Sequence, residues 1–187
     1  MRRSVCRLLL SETSSRPHRA EAAHRVTPET AAGGHEGERT AQPNVEIRAF
    51  ESSDIPEAVA LWRAADGVVL RDADEAAPLR EYLRRHAASS FVAVSGSRVI
   101  GTVLCGHDGR RGYLYHLAVE RAHRGRGIGR ALATRALDAL RHDGIEKCHL
   151  MVVSANAEAR EFWSALGWQM RSDVVLMSYT SPDSPNA

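Results

Sequence analysis

The chain has 187 residues, 43% of them hydrophobic, so it can bury a core of about one ordinary domain with some length left over. Its longest aliphatic run near the N-terminus is Leu8 to Leu10, far short of the roughly 18–20 apolar residues of a membrane span, so a membrane protein is excluded. The net charge of +2 comes from residues 1–43, which hold seven Arg and five Glu; the remainder carries 18 basic and 18 acidic residues. A neutral domain lacks the basic face that tracks a nucleic-acid backbone, and nucleic acid is not expected as a partner.

All ten aromatic residues lie between Phe50 and Tyr179, so residues 1–43 contribute none. A segment rich in Ser, Thr, Glu, Arg, Gly and Pro buries too little apolar surface to offset its ordering entropy, and residues 1–43 are expected to be a disordered tail before a domain spanning 44–187. Met1-Arg2-Arg3 followed by Leu8-Leu9-Leu10 is not a secretory signal, because Arg7 interrupts an apolar stretch already too short, and the five Glu speak against a mitochondrial presequence. Cys6, Cys105 and Cys148 form neither a disulfide framework nor a ligand pattern, so no metal is expected and the reducing cytoplasm is the expected location.

Val45-Glu46-Ile47-Arg48 alternates as a half-buried strand does. Asp54-Ile55-Pro56-Glu57 predicts a helix start with Asp54 as N-cap, and the helix runs to about Asp66-Gly67. Leu79, Tyr82 and Leu83 predict a second helix from Ala76 to His86. Strands follow at Phe91–Val94, Val99–Cys105 and Tyr113–Val119, joined by Ser95-Gly96-Ser97 and Asp108-Gly109-Arg110-Arg111-Gly112, which predicts an antiparallel meander.

A helix from Ile128 to Leu140 carries Ile128, Leu132, Ala136 and Leu140 on one face, with Gly144 as its C-terminal cap. A strand at His149–Val153, a helix at Asn156–Leu166 and a last strand at Val174–Met177 complete a single α/β (α+β) domain, its mixed, mostly antiparallel sheet flanked by helices.

Chemistry concentrates at Arg124-Gly125-Arg126-Gly127-Ile128-Gly129. A strand feeding a glycine-rich loop that opens a helix aims backbone N–H groups and the positive helix end at one spot, which suits phosphate. Gly127 and Gly129 lack a Cβ, so the backbone can approach a pyrophosphate closely. The dinucleotide fingerprint would need glycine where Arg130 stands and an acid where Val153 and Ser154 stand; the ATP-binding loop needs a lysine, and Lys147 is the only one in the chain.

Arg124-x-x-Gly127-x-Gly129 resembles the acyl-CoA loop of the GNAT N-acetyltransferases. Leu117-Ala118-Val119 is similar to the strand of that family that pairs with the pantetheine arm, and Asn156-x-x-Ala159-x-x-Phe162-Trp163 with Gly167-Trp168 is similar to its segment B. The resemblance runs from about Val45 to Tyr179. It implies acetyl-CoA as co-substrate, held by Leu117, Ala118, Val119, the loop 124–129 and Asn156, and direct attack by the amine of a small-molecule or protein acceptor, in a monomer or homodimer. The alternative is a CoA-binding regulatory module that has lost its chemistry.

In the ribosomal-protein branch of the family a Glu base and a Tyr acid flank segment B, but here those positions hold Met151 and Trp163, which can fill neither role. In other branches, residues two and four before the Leu117 position face the acceptor; here they are Tyr115 and Tyr113. Alternation places both on one face of the strand and His116 on the other, leaving Tyr115 as the first candidate for proton traffic and Tyr113 as the second. No Ser or Cys nucleophile is evident. The segments Asp66–Ala77 and Asp108–Arg111 are expected to build the acceptor site, and Asp66, Asp72, Asp74 and Glu75 favour a cationic amine.

Overall fold

The computed structural model describes residues 44–86 and 88–181. The expected tail, residues 1–43, lies outside the described residues. Five strands form one sheet in chain order: β1 (Val45–Ala49), β2 (Phe91–Ser95), β3 (Arg98–His107), β4 (Gly112–Val119) and β5 (Cys148–Leu150). The first four pair antiparallel and β5 runs parallel to β4. Helices α1 (Ile55–Ala64) and α2 (Ala76–Arg85) precede β2, α3 (Ile128–His142) crosses from β4 to β5, and α4 (Ala157–Ala165) follows β5.

Both sheet faces are covered. Phe91, Ala93, Ile100, Val103, Cys105 and Leu114 meet the stripe Ile128, Leu132, Ala133, Ala136 and Leu140 of α3, together with Trp163 of α4. On the other face Val92, Val94, Val99, Leu104 and Ala118 meet Ile55, Ala58, Leu61 and Trp62 of α1 and Leu79 and Leu83 of α2. Strands buried on both faces read as near-continuous apolar runs, which is why β2 and β3 show little alternation.

Three expectations are corrected. Asp54 stands at the N-cap position of α1 as expected but makes no side-chain capping bond there; its carboxylate accepts the Glu51 N–H at 2.9 Å and a bidentate pair from Arg48 at 2.7 and 2.8 Å, which ties the entrance of α1 to β1. The strand expected at His149–Val153 stops at Leu150. The strand expected at Val174–Met177 is absent: residues 174–180 are irregular, with Val175 and Met177 84% and 87% exposed. A three-residue β5 presents few backbone groups at its outer edge, so the short apolar run has no ladder to join.

Candidate active site

β4 and β5 are paired only over Gly112↔Cys148, Tyr113↔His149 and Leu114↔Leu150. Beyond that point the strands separate, and a cleft of about 610 Å³ opens between Tyr115–Val119 and Leu150–Val153. The start of α3 closes one end, and the α1–α2 connection, Ala65 to Val69, contributes a wall.

Of the residues expected to hold CoA, Leu117, Ala118, Val119, Arg124, Gly125, Gly127, Ile128, Gly129 and Asn156 line this cleft. Arg126 does not; it is exposed and outside the lining. Gly127 is the N-cap of α3 at φ 79°, and a Cβ there would meet nothing within 4 Å, so the loop leaves open space where the first turn of α3 has N–H groups without helical partners. That opening, at the positive end of a 15-residue helix and beside an apolar wall, fits a pyrophosphate with a pantetheine arm.

Gly129 has a packing role besides its place in the lining. A Cβ at this position would lie 3.3 Å from the Phe162 ring and 3.7 Å from Val119, so this glycine permits close packing of α3 on α4. Arg124 folds inward: its Nε donates to the Val119 carbonyl at 3.1 Å, tying the loop to the end of β4. Asn156 is the N-cap of α4, its Oδ1 accepting the Ala159 N–H at 2.9 Å, while its amide nitrogen packs against Gly67.

Trp163 is 9% exposed and packs edge-on against Phe162 and Trp168, each with ring centroids 5.0 Å away. Met151 lines the cleft and is exposed. Cys105 and Cys148 are free thiols; burial pushes Cys105 up to about 12 and Cys148 up to about 11, so neither supplies a thiolate nucleophile.

Tyr115 lines the main cleft and also a smaller cavity of about 180 Å³, which Tyr113, Tyr82, His86, His107 and Asp108 share. Tyr113 lines only the smaller one, stacked on Tyr115 at 6.3 Å. Burial first, then Tyr113 and Cys148, push the Tyr115 hydroxyl above its ordinary value.

His116 is where alternation fails. Thr102 pairs with Ala118 and Leu104 with Tyr115, so the single residue Val103 faces both His116 and Leu117. This bulge puts His116 at φ 47° and turns its ring to the α1–α2 face beside Tyr115, 4.5 Å from the Trp62 ring, instead of the opposite face. Asp74 was expected in the acceptor segment, but neither the turn of His116 toward the cleft nor its pairing with Asp74 was legible, because a register break arises from pairing with β3 and leaves no mark in the composition of β4.

Residues 55–168 match the acetyltransferase (GNAT) family. The acetyltransferase SG1711 of Sodalis glossinidius (strain morsitans) is 34% identical over 134 residues, covering 71% of this chain and 93% of that protein. Among solved structures, Ard1 from Thermoplasma volcanium superposes with a TM-score of 0.59 at 22% identity, over 68% of this chain and 84% of that one. The PaiA N-acetyltransferase of Thermoplasma acidophilum, solved in complex with coenzyme A, superposes with a TM-score of 0.61 at 17% identity, over 68% and 91%. The chain belongs to the GNAT acetyltransferase family; its donor is acetyl-CoA and its acceptor an amine.

Proposed function

We propose that acetyl-CoA lies along the 610 Å³ cleft with its pyrophosphate at Gly125, Gly127 and Ile128 and its pantetheine arm along Leu117–Val119, and that a cationic amine enters from the α1–α2 side and attacks the thioester directly. One observation carries the reading: a single cleft joins the start of α3, the bulged end of β4 and the α1–α2 connection. Asp66 lies in its lining, and Asp72, Asp74 and Glu75 follow on the same connection, a negative field that attracts an ammonium.

Tyr115 is the proton donor in this reading. A phenolic hydroxyl, protonated at neutral pH, can pass its proton to the sulfur as the C–S bond breaks and regain one from the new amide nitrogen. Tyr113 backs it by stacking. Arg126 is left out of the binding set. The free Cys105 and Cys148 suit the reducing cytoplasm. The working domain is residues 44–187, and deleting 1–43 should leave turnover unchanged.

The test is release of CoA thiol from acetyl-CoA across a panel of polyamines, amino sugars, α-amino peptides and neutral arylamines. Cationic amines are expected to give kcat/KM at least about tenfold above the neutral ones, about 1.4 kcal/mol of discrimination. Equal or better turnover of neutral amines overturns the acceptor class, and tight acetyl-CoA binding with no thiol release from any amine favours a CoA-binding module.

A further inference from the structure

His116 is a non-glycine residue in the left-handed region, a conformation that persists only where its surroundings enforce it. Several contacts do so here. Its carbonyl accepts the Thr102 hydroxyl at 2.9 Å, and Thr102 Oγ1 in turn accepts the Trp62 indole N–H at 2.7 Å. Its ring lies on Trp62, and its Nε2 is 2.6 Å from Asp74 Oδ1. The other Asp74 oxygen accepts the Arg71 N–H at 2.9 Å, so the carboxylate is fixed from both sides.

The outcome is an imidazole with one nitrogen held by a carboxylate, while Nδ1 has no hydrogen-bond partner among the described residues and the ring lines the cleft next to Tyr115. The 3-10 turn Asp72–Asp74 is already closed by its own capping contacts, so it does not need the histidine. A bulge that only bent β4 would be satisfied by glycine, without the cost of a positive φ.

We propose that His116 is the base that takes the proton from the acceptor's ammonium, and that Asp74 is the positioning residue that holds its ring with the proton on Nε2. This rests on the reading of the cleft as the transfer site. In the step, the Nδ1 lone pair accepts one ammonium proton. The freed amine lone pair forms the C–N bond to the thioester carbonyl carbon, and the C–S bond breaks with its electrons going to sulfur. Tyr115 protonates the sulfur and is reprotonated by the second amine proton. The products are an amide, a free thiol and His116 carrying one proton, which it returns to water. The third group, Asp74, supplies the orientation that a histidine base requires, as in other base and orienter pairs.

Two variants suit the unusual backbone: His116→Gly relaxes φ and leaves a ring-sized space beside Trp62, and His116→Asn keeps a residue that tolerates the left-handed region. Both are expected to lose kcat by about 10²-fold, with acetyl-CoA affinity measured by calorimetry unchanged. Added imidazole should restore about tenfold of the loss in His116→Gly. Asp74→Asn, which also removes one charge from the field that attracts the amine, should lower kcat by a larger factor than it raises the KM of the amine.

A readout independent of turnover is nitrogen NMR of the unliganded wild-type protein, where His116 is expected as the neutral Nε2–H tautomer. Folded His116 variants with wild-type kcat, a loss that imidazole does not restore, or an Nδ1–H tautomer would each overturn the assignment. Wild-type protein that releases no CoA with any amine while showing the Nε2–H tautomer would sink the transfer reading instead.

Discussion

Trp62 donates its indole N–H to the hydroxyl of Thr102 across 2.7 Å in the fully buried layer between α1 and the sheet. Because that hydroxyl donates onward to the His116 carbonyl, a buried polar chain links a helix in the core to the one strained residue of β4. The bulge that shapes the cleft is therefore held from underneath by a side chain with no access to it.

Thr102→Val tests this link. The substitution keeps the shape but leaves the indole N–H and a strand carbonyl without partners, at about 2 kcal/mol. Thermal denaturation should show a midpoint lower by roughly 5–10 °C, and kcat should fall because His116 loses its anchor. A midpoint and kcat equal to wild type would show that water replaces the hydroxyl without consequence.

The two loop glycines should separate in experiment. Gly127→Val places a branched side chain in open space at φ 79°, where the phosphates are proposed to lie, and should weaken acetyl-CoA binding at least about tenfold by calorimetry. Gly129→Val meets the Phe162 ring, so its first effect should be a lower thermal midpoint from displaced α3–α4 packing. The reverse pattern, with Gly127→Val binding normally, would remove the phosphate reading of the loop.

What the sequence shows clearly is whatever a single element decides for itself. The stripe Ile128, Leu132, Ala136 and Leu140 and the glycine at its end, Gly144, make α3 legible, and the start of α4 is legible to within one residue, Asn156 being its cap and not its first turn. What depends on a neighbouring strand is not legible. The bulge at His116 is set by register with β3, and the role of Asp54 is set by Arg48 on β1. Val174–Met177 has the β-branched, apolar composition of a strand and no partner edge, and a strand cannot exist without one.

Asp54 gives a pH prediction. Burial would push its carboxyl up, but the bonds from Arg48 and the Glu51 N–H outweigh that and hold it below the usual carboxylate range. A carboxyl lowered on folding contributes stability in full above its unfolded value, about 3.9, and loses that contribution as pH falls through the folded value. Asp54→Asn should therefore cost about 2 kcal/mol in urea unfolding at pH 7, and the gap to wild type should shrink in acid. A gap that stays constant as pH falls through the unfolded and folded values would show that the amide disturbs packing and not charge.

The last prediction ranks two aromatic residues of the cleft. Tyr115→Phe keeps the ring that meets Tyr82 edge-on at 6.4 Å and stacks on Tyr113, and removes only the hydroxyl. If that hydroxyl delivers the proton to the departing sulfur, kcat should fall on the order of 10² while acetyl-CoA affinity holds, because the contacts proposed for the phosphates lie beyond the far end of β4. Trp163→Phe removes an indole that cannot act as an acid and is wedged between Phe162 and Trp168, so its cost should appear in the thermal midpoint and only weakly in kcat. The comparison needs only steady-state kinetics and melting curves on two variants. An active Tyr115→Phe beside a folded but inactive Trp163→Phe would move the proton path from β4 to α4.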